Sequence, residues 1–185
     1  MRILSAILLC TFLSACVSTG SESIQGTNGW NTVGANIWST DKGILSADPA
    51  SGKSYLVSPN RYKNFIVELE FWPDDKVNSG VFIHCSTHIY IGSKNCYEAN
   101  IADNHKKPEY RTGSIVLHAA PDSQVNSIGK WNKLVFTSDN GMVVLEINGV
   151  KTAQASATKH PEGYISLQRF KDGVIKFRNI RITPL

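Results

Sequence analysis

Phe65, Val67, Leu69 and Phe71 take every second position, with Ile66, Glu68 and Glu70 between them. A period of two puts the first set on one face of a β-strand and the glutamates on the other. Pro73-Asp74-Asp75 then ends the run. Further strands are expected at 131–137 and 142–147, separated by Ser138-Asp139-Asn140-Gly141. Asn148-Gly149 is a strong two-residue hairpin signal leading into 150–155. Strands at 164–170 and 174–182 complete the set. In the last of these Ile175 and Phe177 share one phase and Ile180 and Ile182 the other, so a bulge is expected near Arg178-Asn179. No segment sustains a helical period. Short strands separated by turn signals predict an all-β chain, a two-sheet sandwich or a barrel.

Two central strands carry more than packing. One is Asn78-Ser79-Gly80-Val81-Phe82-Ile83-His84; the other runs from Cys96 to Asp103. In the second, Glu98 and Asn100 fall on one face, and Tyr97, Ala99 and Ile101 on the other. A carboxylate beside an amide suggests a polar binding face, although half-exposed antiparallel strands also alternate in this way.

The N-terminus reads as a targeting segment. Arg2 precedes an apolar run, Ile3 to Leu13, too short for a permanent membrane span. It closes on Leu13-Ser14-Ala15-Cys16, which resembles the bacterial lipobox. That pattern implies a lipoprotein signal peptide at 1–15, lipidation of Cys16, a tether over 16–26 and one domain over 27–185. The residue after Cys16 is Val17 rather than Asp. By resemblance to lipoprotein sorting, this favours the outer membrane, facing the periplasm, for a Gram-negative source. Export implies an oxidising compartment. Cys85 and Cys96 are then the cysteines of the mature domain, and a bridge between them would close a short loop. The alternative is a metal site using both thiolates with His84 and His88, for which neither structural-zinc spacing is present. The net charge of +4 is mild and the basic residues are scattered. Without a basic stripe interleaved with aromatics, a nucleic-acid partner is not expected.

An ordered set of short motifs carries a family resemblance. It comprises Asn78-Ser79-Gly80-Val81-Phe82, Tyr97-Glu98, Thr112-Gly113, Trp131-Asn132, Asn148-Gly149, Ile165-Ser166-Leu167-Gln168 and Phe177-Arg178-Asn179-Ile180-Arg181-Ile182. Together they resemble the 3-keto-disaccharide hydrolase domain family over nearly the whole mature chain. The resemblance implies a two-sheet jelly roll of the concanavalin A-like lectin/glucanase type, with sugars bound on the concave sheet. Its expected ligand is an oxidised (3-keto) glycoside or another carbohydrate. The chain also departs from the family. His84-Cys85 stands where members usually carry an Arg, Asn100 where they carry Gln, and Val116 where a Tyr is common. Phe170 stands where members often have a His.

The implied chemistry is coherent. A ketone at C3 of a glucoside acidifies the hydrogen on C2. A base removes it, an enediolate-like charge develops, and the C1 substituent leaves; water then re-adds. Such a site needs a base, an oxyanion stabiliser and an acid. A divalent metal on the keto oxygen is a cofactor this chemistry admits. Glu98 is the first candidate for base or metal ligand, because it matches the family's Tyr-Glu pair. His118 is a second acid–base candidate and Asp103 a second metal candidate. Asn78, His84, Asn100, Arg111 and Gln168 are candidates for substrate binding. Arg178, also matched, is expected to pair structurally. Tyr97, Trp72 and Trp131 are candidates for stacking on sugar faces. The alternative from another class is a non-catalytic carbohydrate-binding or cell-envelope module on the same fold.

Overall fold

The computed structural model describes residues 20–24, 26–48, 52–170 and 172–185. The expected signal peptide and Cys16 lie outside them. The described residues form 13 strands and one short 3-10 turn. None forms a helix long and apolar enough to cross a membrane.

Nine of the strands matter most to the site and its support. They are β2 (Asn31–Gly34), β4 (Ile44–Ala47), β5 (Ser54–Tyr62), β6 (Phe65–Pro73), β7 (Asn78–Cys85), β8 (Tyr97–Ile101), β9 (Asn132–Asp139), β12 (Gly163–Phe170) and β13 (Ile175–Pro184). The others are β1 (Glu22–Ile24), β3 (Trp38–Asp41), β10 (Met142–Ile147) and β11 (Val150–Ser156). One sheet has eight strands in the order β11-β10-β9-β6-β13-β4-β3, with β1 also paired to β13. The second has five, in the order β2-β5-β12-β7-β8. Every pairing is antiparallel. The expected sandwich is therefore present.

The main core lies between the sheets. Phe65, Val67, Leu69 and Phe71 of β6 are buried, and so are Leu56, Val81, Ile83, Tyr97, Ala99, Ile101 and Leu167 of the smaller sheet. Burying each large apolar side chain contributes roughly 1.5–3 kcal/mol before chain entropy is counted. The phase change in β13 is a bulge: the register against β6 shifts between Arg178 and Arg181, and Asn179 sits at φ 54°. Arg178 Nε donates to Glu70 Oε2 at 2.5 Å, and its guanidinium lies 4.0 Å over the Trp131 ring. Trp72 is likewise covered by the Lys176 ammonium, at 4.8 Å. Both tryptophans thus serve the eight-stranded sheet and are not sugar platforms. Tyr97 is fully buried in the core and is none either.

Two boundaries differ from expectation. The expected tether over 16–26 contains β1, which pairs with β13 from Glu22 to Ile24. Tyr62 Oη donates to Glu22 Oε2 at 2.8 Å and ties this strand down further. The ordered fold therefore begins by Glu22, earlier than residue 27. The segment after Thr112-Gly113, which carries His118, is not a strand. Gly113 and Leu117 have φ of 92° and 67°, which breaks the extended geometry. The segment still covers the edge of β8: Val116 N–H donates to the Glu98 carbonyl at 3.0 Å, and Asn100 N–H to the Ser114 carbonyl at 3.1 Å.

Candidate active site

A pocket of about 230 Å³ lies on the face of the five-stranded sheet turned away from the core. Strand parity delivers most of its floor. Asn78 and Phe82 come from β7, Glu98 and Asn100 from β8, and Gln168 and Phe170 from β12. The ladder sets them side by side: Gly80 pairs with Asn100 and with Gln168, and Phe82 with Glu98. Gly80 is the low point of this floor. A Cβ there would meet Glu98 Cγ and Oε1 at 3.2 Å, so the absent side chain is what lets the carboxylate lie across the sheet.

Glu98 is 7% exposed and Asn100 4%. Burial pushes the Glu98 carboxyl up to about 7, against the opposing pull of a Ser93 hydrogen bond and the Lys53 charge. Ser93 Oγ donates to Glu98 Oε2 at 2.6 Å. Asn100 Nδ2 donates to the Tyr110 carbonyl. Gln168 Nε2 donates to Tyr55 Oη at 3.3 Å, while its buried Oε1 has no partner. Gln168 itself lines the pocket.

Cys85 and Cys96 are disulfide-bonded, with Cα atoms 4.2 Å apart. The bridge packs with Tyr55, Val57, Phe82 and Ile91 in a second apolar cluster. It clamps the excursion 86–95, closed further by the Ser86 N–H donating to the Asn95 carbonyl at 3.0 Å. That excursion brings Gly92 and Ser93 to the pocket wall. The cysteines are thus committed to each other.

Four expected site residues, Glu98, Asn78, Asn100 and Gln168, converge on this pocket. Four others do not. His84 was expected to contact substrate, but it sits at φ 53° in a register irregularity between β7 and β12. That turns its ring into the sandwich, against Phe65 and Tyr97. There Nδ1 donates to the His160 carbonyl at 2.6 Å, and Nε2 lies 3.0 Å from Ser138 Oγ and 3.1 Å from the Lys63 carbonyl. Burial lowers its pKa, against the hydrogen bonds to the His160 and Lys63 carbonyls, which raise it. The bulge also explains Gly163, whose Cβ would collide with the Cys85 carbonyl. Asp103 is a loop anchor rather than a metal ligand. It accepts from Ser127 N–H and Oγ at 2.6 Å each, and from Ile128 N–H at 3.3 Å. Arg111 Nε donates to the His105 carbonyl at 3.3 Å, outside the pocket. His118 is exposed and its ring lies tilted against Tyr97, with ring centroids 4.8 Å apart. Partial burial, then the Lys159 and His160 charges, lower its pKa.

The sequence reading missed Lys53, Tyr55, Ser93, His105 and Tyr110, all of which line the pocket. Lys53 Nζ sits 5.1 Å from the Tyr55 ring centre and 5.3 Å from that of Phe170. Tyr55 was findable in principle, as the cross-strand neighbour of Gln168, but only once β5 was known to pair with β12. As to a metal, the pocket offers one carboxylate, Glu98, and one imidazole, His105. Among the described residues no three His, Cys, Asp or Glu side chains cluster. With a lysine beside the carboxylate, this donor set does not fit a divalent ion by itself.

The sequence model of one family, described as the 3-keto-alpha-glucoside-1,2-lyase-like domain, matches residues 22–183. No curated protein sequence matches the chain. Among solved structures, a candidate glycosyl hydrolase from Parabacteroides distasonis ATCC 8503 superposes with a TM-score of 0.78 at 25% identity, covering 90% of this chain and 100% of its own. A second from the same organism reaches 0.71 at 18% identity, covering 87% and 91%. The carbohydrate binding module CBM66 from Bacillus subtilis reaches 0.65 at 17% identity, covering 86% and 96%. The latter two speak for the fold alone.

Proposed function

The chain belongs to the 3-keto-alpha-glucoside-1,2-lyase-like domain family, and from that premise we propose that it cleaves glycosides already oxidised to a ketone at C3. Membership and the neighbours support a carbohydrate-related role. The observation that carries the finer reading is Glu98. A buried carboxyl with a pKa of about 7, in a polar pocket, is poised to take a proton at neutral pH.

In this reading the Glu98 carboxylate removes the hydrogen on C2, and the C2–H electron pair forms an enolate whose charge rests on the C3 oxygen. Lys53 and the Tyr55 hydroxyl supply positive potential and a donor for that oxygen. The enolate collapses, a C1–C2 double bond forms, and the C1–O bond breaks. When the departing oxygen regains the proton that Glu98 took, the sum is glycoside to enone plus alcohol. Water then adds at C1 and a proton at C2, giving the free 3-keto sugar. His105, the single imidazole in the wall, is the candidate acid for the departing oxygen. The pocket is smaller than the ~300–1,000 Å³ typical of drug-sized ligands, which suits one sugar ring.

The test is a pair of chromogenic glucosides, one oxidised at C3 and one not, assayed with and without added divalent cation. Release from the keto compound alone is expected. Nothing in the chain resembles a nicotinamide or flavin site that would make the ketone. The competing reading, a binding module without chemistry, draws on Phe170, which lines the pocket where the family often has a His. It wins if the protein binds keto sugars yet releases nothing under any cation condition.

The lipobox adds a location to the proposal: anchored by lipid at Cys16, in the outer membrane facing the periplasm if the source is Gram-negative. A single acyl chain holds a protein only marginally, so more than one chain is implied. Cys16→Ser should move the protein from the membrane pellet to the soluble or unprocessed fraction; an unchanged pellet contradicts the anchor.

A further inference from the structure

A second concavity, a groove of about 410 Å³, opens beside the Glu98 pocket and shares Lys53, Tyr55, Gly92 and Ser93 with it. Its character differs. Ile89, Tyr90 and Leu117 line it, and they are 52%, 68% and 55% exposed. Seven large apolar side chains are exposed among the described residues, so nearly half of them stand on this one groove. Leu117 is held there with φ 67°, a region that a leucine occupies only against steric cost. The groove's loop polar groups are largely committed. Ser93 Oγ is spent on Glu98 and Asn95 Nδ2 on the Tyr90 carbonyl. Lys53 and Lys94 remain as cations along it.

We propose that this groove is the leaving-group subsite and that it selects a phenolic aglycone over a second sugar. The inference rests on the function proposed above, since it assumes that the oxidised ring fills the Glu98 pocket. The two concavities share four lining residues, so a C1 substituent can continue from the pocket into the groove. A second sugar would bring a ring of hydroxyls to a surface with few free polar partners. A phenyl ring would instead pack on Tyr90 and Leu117. The chemistry agrees. A phenol has an ordinary pKa near ~10, far below that of an alkyl alcohol. It departs as phenolate with little help from an acid, and its charge would face Lys53. A pocket whose only imidazole is His105, and which Phe170 also lines, is suited to such a leaving group.

The test separates binding from leaving ability by using the Glu98→Gln variant, whose turnover should be negligible. Calorimetry would give the Kd of the 3-keto-glucosides of phenol, methanol and glucose on this protein, and on the same protein with Tyr90→Ala added. The phenyl compound should bind more tightly than either other. Tyr90→Ala should shrink its advantage over the methyl compound by about two- to tenfold, the range expected for losing one aromatic contact. Equal phenyl and methyl affinities, or tighter binding of the glucosyl compound, would overturn the subsite while leaving the keto-sugar reading in place. If none of the three binds, the function reading fails and the subsite falls with it. If Tyr90→Ala leaves the phenyl-to-methyl ratio unchanged but weakens binding to phosphatidylglycerol vesicles, or abolishes self-association in the ultracentrifuge, the groove serves a membrane or a second copy and the proposal is overturned.

Discussion

Glu98→Gln is expected to lower kcat/KM on a 3-keto-glucoside by about 10²–10⁴-fold, the usual worth of a positioned base, and to make the fold more stable at pH 8. The two effects share one cause. Burial holds the Glu98 proton to about 7 in the folded chain, against 4.5 for an ordinary glutamate. Between those values the folded state carries a proton that the unfolded state has lost. Raising the pH through this window therefore opposes folding, and the cost is complete above about 7. It amounts to roughly 3 kcal/mol. A glutamine keeps an oxygen for the Ser93 hydroxyl and carries no charge to desolvate, so it relieves most of that cost. Urea unfolding of both proteins at pH 5 and pH 8 checks this. The variant should gain on the wild type at pH 8 and lose the advantage at pH 5. In the wild type, kcat/KM should climb as pH rises through about 7, because the base works only when deprotonated. A variant that keeps its activity, or that is less stable at pH 8, would remove Glu98 from the role given to it.

Replacing both bridge cysteines, Cys85→Ala with Cys96→Ala, is expected to cost roughly 3 kcal/mol of stability. That is the usual yield of closing a short loop, in a chain-entropy account that is itself model-dependent. For a domain of this size the melting midpoint should fall by about 6–12 °C. Function should change in a specific way. The excursion 86–95 holds Ser93 against Glu98, and that bond pulls the carboxyl pKa down. Freeing the excursion should therefore move the acid limb of the pH–rate profile to higher pH, in addition to any loss of rate. Calorimetric melting and a pH profile measure the two parts. A midpoint equal to that of the wild type would show that the bridge constrains little.

What the sequence made legible follows strand parity closely. β6 was readable because one face is core and the other solvent. The β13 bulge showed itself because apolar residues changed phase at Arg178. Glu98, Asn100, Asn78 and Gln168 were readable as neighbours on one face because they sit on regular strands. β5 escaped because Ser54 to Ser58 are all buried, so alternation vanishes and only a short mixed run remains. β2 and β3 are four residues each and mostly exposed, too short and polar to declare themselves. His84 was misplaced because one left-handed residue resets parity. Phe82 and Cys85 pack in the same apolar cluster outside the core, three positions apart, which no regular strand allows. That spacing, read together with a Cys85–Cys96 bridge, was the available clue. Lys53, Ser93 and His105 reach the pocket from a strand edge and two loops, and loop geometry has no period to read.

The central claim is that Glu98 acts on the C2 hydrogen of a 3-keto sugar, and deuterium is its most direct witness. A 3-keto-glucoside would be cleaved in D₂O and the product followed by NMR, with enzyme-free buffer as the control for spontaneous exchange. Elimination and rehydration predict product bearing deuterium at C2, formed with the wild type and not with Glu98→Gln. Product released just as fast with its original hydrogen on C2 would mean direct substitution at C1, and would contradict the account.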